Sequence, residues 1–189
     1  FNSLSDCDDA LLALFNDLHK PISRIVLSGG STPLSFYKRL SELDIKWSNY
    51  EITLSDERNV EISNPLSNEG SIKAIIKNNS FNKSFISLVK EDAQSRLDLI
   101  ESYDLCILGM GDDGHTASLF PGAEALALGL DMSSGRTAIA VTPTEAPHQR
   151  ISMTLPRLLD SKQVIIHISG ASKQAVLQAA QAGEDIAEL

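Results

Sequence analysis

Short β-branched runs alternate with helical patterns along this chain, and that alternation limits the available folds more than any other feature. "SRIVLS" (23–28), "YEITLS" (50–55), "DLCILG" (104–109), "RTAIAV" (136–141) and "QVIIHISG" (163–170) read as strands, most of them buried on both faces. "SFISLV" (84–89) carries a fainter strand signal. Leu11, Leu12, Phe15 and Leu18 share one face of an N-terminal helix. Thr32 before Pro33 reads as an N-cap with proline at the first helical position, opening a helix through Leu40. Ser67 caps the next, and "EDAQSRLDLIES" and "ASKQAVLQAAQA" supply two more. Strands alternating with helices predict an α/β fold, a mostly parallel twisted sheet with helices on both faces. Sheets of this kind take their ligands beyond the carboxyl ends of the strands. Functional residues are therefore expected there.

The 189 residues fit one domain, 1–189, since no repeat, low-complexity tract or composition shift marks a linker. An apolar fraction of 42% with 22% charged is the balance of a globular chain. No apolar run approaches the ~18 residues of a membrane span. Nothing near Phe1 has the cationic-then-apolar form of a signal peptide. Two cysteines, Cys7 and Cys106, make no disulfide framework, and Cys106 within "DLCILG" reads as a small buried hydrophobe. The expectation is a reduced, cytoplasmic protein. A formal charge of −9 opposes binding to nucleic acid or an anionic membrane, though not to a small anion met by locally placed cations.

Four strand ends carry suitable chemistry. The first, "LSGGSTP" (27–33), has Gly29 and Gly30 for a tight turn, hydroxyls at Ser31 and Thr32, and a helix N-terminus behind them. That combination suits a phosphate, although a well-capped turn would look the same. The second, "LSDERNV" (54–60), sends Asp56, Glu57 and Arg58 out of a buried strand together. The third is "GMGDDGHTASLFPG" (109–122), where His115 follows a glycine turn. Imidazole is the side chain best suited to accept a proton near neutral pH. Asp113, two residues earlier, stands where a carboxylate can fix the ring's tautomer. The fourth, "HISGASKQAV" (167–176), puts Lys173 in the first turn of a helix, where a cation is unfavourable unless an anion shares the site.

Arg150, in "PHQRISMTL", is a further candidate phosphate contact, its fork being better shaped for the task than an ammonium. His167 lies in a buried strand and reads as a satisfied core residue, His19 as a helix-end surface residue, and His148 as a loop residue. Two acids and a histidine also suit a metal. No second histidine stands at helical or zinc-ligand spacing nearby, so no metal is expected.

These motifs, taken in order with "SN" at Ser67–Asn68, "RISMTLP" and "GASK", resemble the 6-phosphogluconolactonase family from about Ile25 to Lys173. The resemblance implies a Rossmann-like fold shared with glucosamine-6-phosphate deaminases and ribose-5-phosphate isomerases, and no cofactor. It implies hydrolysis of 6-phospho-D-glucono-1,5-lactone in the oxidative pentose phosphate pathway, with His115 as the base that activates water. It further implies that Gly29, Gly30, Ser31 and Thr32 hold the phosphate with Arg150 and Lys173. Asp56 and Arg58 would lie beside the sugar ring, and Asn68 would position their loop. A small phosphorylated lactone is the expected partner of a monomeric chain. The chain departs from the family at Glu61-Ile-Ser-Asn-Pro65, and the family's pattern leads one to expect a final strand and helix after "GEDIAEL".

Two other functions share such a fold. Deaminases resemble this chain in "GGSTP" and in the glycine-aspartate-glycine-histidine turn, but typically read "DEY" at Asp56–Arg58 and carry a glutamate where Phe120 stands. A phosphosugar-sensing domain of a regulator would need a DNA-binding module, and no basic helix-turn-helix pattern is seen.

Overall fold

The computed structural model describes residues 3–18, 20–144 and 147–183, so His19 and the segment after Gly183 lie outside the described residues. The elements in chain order begin with α1 (Leu4–Asn16), β1 (Ser23–Leu27), α2 (Leu34–Ser41), β2 (Tyr50–Leu54), β3 (Asp56–Arg58) and α3 (Asn68–Ile75). They continue with α4 (Asn79–Ser84), α5 (Ala93–Asp98), β4 (Leu105–Leu108), α6 (Leu126–Leu130) and β5 (Ala138–Val141). The last are β6 (Arg150–Met153), α7 (Leu155–Leu159), β7 (Val164–Ile166) and α8 (Ala171–Ala182).

Four strands form a parallel sheet in the order β2-β1-β4-β7. The order runs one way from β1 to β2 and the other way from β1 to β4, so a switch point lies at β1/β4. Open α/β sheets bind ligands beside such a point. Ile25, Val26 and Leu27 of β1 and Leu105, Cys106 and Ile107 of β4 are buried because each strand has neighbours on both edges and helices around it. Phe36, Tyr37 and Leu40 of α2 cover this sheet with Leu11 and Phe15 of α1. Truncating one such residue to alanine costs about 2–5 kcal/mol, the transfer loss plus the cavity left behind.

The remaining strands make a second, antiparallel sheet, β3-β6-β5. "RTAIAV" is thus a strand as read, but it belongs to this small sheet and not to the parallel one. The strands β3 and β6 had no periodic signal long enough to find; they exist because Asp56–Arg58 pair with Arg150–Ser152. "SFISLV" contributes only an isolated bridge, Ile52 to Phe85. Helix α2 begins one residue later than read: Pro33 is its N-cap, and no side-chain bond caps it. Ser67 caps α3 as expected, its hydroxyl accepting from Gly70 N–H at 2.9 Å. No helix among the described residues is long and apolar enough to cross a membrane.

Candidate active site

A cavity of about 270 Å³ opens over the carboxyl ends of the parallel strands. Gly29, Gly30, Ser31 and Thr32 line it from the loop after β1, Asp56 and Arg58 from β3, Asn68 from α3, His115 from the loop after β4, and Lys173 from α8. Asp113, Arg150 and Glu57, also singled out in the sequence, are not among the residues that form its wall.

The loop after β4 shapes the histidine. Gly114 takes φ +80°, and Gly111 N–H donates to the His115 carbonyl at 2.8 Å, closing a tight turn. A Cβ on Gly111 would stand 2.3 Å from the His115 ring and 2.4 Å from Asp113 Oδ1, so glycine is required there. His115 Nδ1 and Asp113 Oδ1 are 2.5 Å apart, and the same oxygen accepts the His115 backbone N–H at 3.2 Å. Partial burial works against the ionised Asp113, but these bonds outweigh it and hold the carboxyl below its ordinary value. With Nδ1 committed to Asp113, Nε2 is the nitrogen left for a proton acceptor. Phe120 packs on the imidazole at 4.4 Å between centroids.

The opposite wall is built around a residue whose role the sequence did not reveal. Glu57, 1% exposed, sits at the N-terminus of α3 and accepts bonds from Ser67 Oγ and from the N–H groups of Arg58, Asn68 and Glu69 at 2.7–3.0 Å. It therefore anchors α3 rather than facing substrate, a favourable place for an anion. Asn68 is fixed by that helix and donates to the Asp56 carbonyl at 3.2 Å. Its amide also fills the space beside Gly29, where a Cβ would lie 2.1 Å from it. The first two loops are thereby locked together. Asp56 itself is held by Ser118 Oγ at 2.6 Å and lies 3.3 Å from Ser55 Oγ. Arg58 donates to the Leu66 carbonyl at 2.6 Å, so the divergent Glu61–Pro65 loop still returns to the site.

Arg150 is not among the residues that line the cavity. The β3–β6 pairing sets it directly opposite Arg58, buried, with its Nε free of any partner among the described residues. Burial, and then the charge of Arg58, push its pKa down from the ordinary value. Lys173 reaches over the cavity and donates to the Met110 carbonyl at 2.7 Å, tying α8 to the loop that carries His115. His167, read as a satisfied core residue, is buried at 3% exposure but not satisfied. It follows β7, lines the cavity, and neither ring nitrogen has a hydrogen-bond partner among the described residues. Only its hydrophobic surroundings were legible. His148 is an exposed loop residue with φ +69°. Among the described residues no three His, Cys, Asp or Glu side chains stand together as a metal-ligand group.

Residues 9–189 match the family described as glucosamine-6-phosphate isomerases/6-phosphogluconolactonase. A 6-phosphogluconolactonase of Neisseria meningitidis is 36% identical over 173 residues, spanning 85% of this chain and 75% of that protein. Another, from Helicobacter pylori, is 36% identical over 197 residues, spanning 95% and 84% respectively. The crystal structure of a 6-phosphogluconolactonase from Shewanella baltica superposes with a TM-score of 0.85 at 32% identity, over 98% of this chain and 85% of that one.

Proposed function

The chain belongs to the glucosamine-6-phosphate isomerase/6-phosphogluconolactonase family, and from that premise we infer that it is an enzyme hydrolysing 6-phospho-D-glucono-1,5-lactone to 6-phospho-D-gluconate. The observation that carries the reading is one cavity with a glycine-hydroxyl loop and lysine along its wall and an aspartate-held histidine beside them.

The phosphate binds at Gly29, Gly30, Ser31 and Thr32 and to Lys173, far from the reacting carbonyl. That remote contact orients the lactone, so binding energy is used to place the reacting atoms. Arg150, directly opposite Arg58, adds its charge to this end of the site. Asp113 fixes the His115 tautomer, and Nε2 takes a proton from water as the water attacks the lactone carbonyl. Arg58 and neighbouring backbone N–H groups stabilise the oxyanion that develops. Protonated His115 then returns its proton to the ring oxygen as the ester bond breaks. Asp56, its second oxygen occupied by Ser118, orients the sugar ring, and Asn68 keeps that wall in register with the phosphate loop. A lactone is an activated ester, so the residues present suffice for its opening. With this reading go the oxidative pentose phosphate pathway, a cytoplasmic setting and a monomeric chain acting on one small phosphorylated lactone.

A deaminase reading is disfavoured by Phe120. It packs on His115 where the deaminases place a carboxylate, and a phenyl ring cannot shuttle a proton between adjacent carbons. The test is proton release on adding freshly made 6-phosphogluconolactone, against the spontaneous background and with glucosamine 6-phosphate as control. Acceleration of the lactone alone supports the reading. Ammonia release from the amino sugar, or no acceleration of either, overturns it.

A further inference from the structure

His167 joins the floor of the same cavity to the N-terminal helix. Asp8 of α1 shares its buried face with Leu11 and Phe15, and its carboxylate Oδ1 lies 3.6 Å from His167 Nε2. At that separation the two groups attract but do not hydrogen-bond. Both side chains are 2% exposed. Asp8 Oδ1 and both imidazole nitrogens have no hydrogen-bond partner among the described residues. The Ser28 hydroxyl, on the same cavity's wall at the end of β1, is likewise buried and unpartnered. A buried polar group left without a partner destabilises the fold, so a cluster of them under one cavity calls for a cause.

The cause is best sought in what fills the cavity. His167 stands on the same strand–turn–helix unit as Lys173, with Gly170 at φ +100° between them. Its backbone N–H is fixed to the Leu108 carbonyl at 2.8 Å, at the foot of the loop whose Met110 carbonyl Lys173 holds. The main chain is therefore rigid, while an imidazole's χ2 is broad and lets the ring turn within its rotamer. Resting on the phosphosugar reading above, we propose that His167 is a substrate-positioning residue: backed by Asp8, it offers an imidazole N–H to the phosphate end of the cavity, beside Lys173. Phosphate oxygens accept hydrogen bonds readily. A neutral imidazole has a single N–H, so the bound phosphate is met by the imidazolium, with Nε2–H toward Asp8 and Nδ1–H toward the phosphate. The second proton is taken from solvent as the anion binds. Asp8 acts through His167 and touches no substrate.

The proposal is tested with His167→Phe, His167→Asn and Asp8→Asn, each assayed for lactone turnover and for binding of inorganic phosphate by calorimetry. His167→Phe is expected to raise KM roughly tenfold, the worth of one hydrogen bond to an anion, and to weaken phosphate binding by a similar factor, with kcat changing less. Its unliganded melting temperature should fall, because the buried Asp8 carboxylate loses the imidazole that faces it. His167→Asn should recover part of the affinity. Asp8→Asn, which keeps the shape, should give a smaller loss in the same direction and serves if the phenylalanine variant fails to fold. Unchanged KM and phosphate affinity in a folded variant would overturn the proposal, as would a loss confined to kcat. Phosphate affinity is read independently of turnover. A wild-type chain that bound phosphate but left the lactone alone would refute the activity while leaving His167 still testable.

Discussion

Two histidine–carboxylate pairs serve the same cavity, and they are built in opposite ways. His115 and Asp113 are near neighbours in sequence, joined at 2.5 Å in a glycine-shaped turn, with the ring a quarter exposed and the carboxylate half exposed. His167 and Asp8 come from opposite ends of the chain, are almost fully buried, and stand 3.6 Å apart. In the first pair one nitrogen is occupied by the carboxylate, and the ring lines the cavity with a quarter of its surface exposed. The second is buried and, among the described residues, without a hydrogen bond on Asp8 Oδ1 or on either ring nitrogen. Burial pushes the His167 imidazolium below its ordinary pKa while Asp8 works the other way. Exposure and hydrogen bonding, more than the presence of a carboxylate, separate a base from a positioning group.

The largest test of that contrast is His115→Ala. It should lower kcat by roughly 10²–10⁴-fold, the usual worth of a general base, and leave inorganic phosphate binding nearly intact. Wild-type kcat in the mutant would move the base elsewhere, and Asp56 would be the next carboxylate to examine. Gly111→Ala comes second. It touches neither partner's chemistry, but its methyl would occupy the place of the ring and the carboxylate. A misplacement of about 1 Å can cost roughly 10²-fold in rate. A kcat unchanged in this variant would show that the turn yields and the pair's geometry is not critical.

The same contrast explains what could be read in advance. The parallel core, the His115–Asp113 turn and the Gly29–Thr32 loop are local, each written in one stretch of chain by strand run, glycine and cap. The strands β3 and β6 are three and four residues long and owe their existence to each other, so no periodicity marks them. Their pairing is why Arg150 lies opposite Arg58, a neighbour that neither stretch of sequence reveals alone. Glu57 looked like one of three charges leaving a strand. Its burial under the α3 N-terminus depends on a loop returning to Ser67, which spacing alone does not give. His167 had the setting of a core residue, and only tertiary packing reveals Asp8 beside it.

Lys173→Ala gives the next effect down, and sharpens the division between chemistry and binding. If the ammonium leaves the Met110 carbonyl for a phosphate, KM should rise by the loss of one charge-assisted bond, ~1.5–3 kcal/mol, roughly ten- to hundredfold. If its service is to brace the loop under His115, kcat should fall at constant phosphate affinity. The first outcome is expected, because a cation in the first turn of α8 is unfavourable without an anion. An unaltered KM would reduce Lys173 to a strut.

The smallest effect distinguishes the two pairs by pH, and it is read as stability. The folded chain resists protonation of His167, whereas the unfolded chain takes the proton near the ordinary imidazole value of ~6.5. Between that value and the lower folded one, the unfolded state binds more protons, so stability rises with pH and is lost on acidification. Asp113 has the same sign in a different window: its folded pKa is also depressed, so its contribution persists until pH falls below the ordinary carboxylate value of ~3.9. Melting curves between about pH 7 and 5 should therefore slope for the parent and flatten for His167→Phe, while Asp113→Asn leaves that slope alone. About 1 kcal/mol moves Tm by ~2–4 °C in a chain of this size, so modest differences are measurable. A parent whose stability instead falls as pH rises, relative to His167→Phe, would mean that Asp8 keeps the imidazole charged in the fold. The buried pair would then be a closed ion pair, no longer distinct in kind from the exposed one.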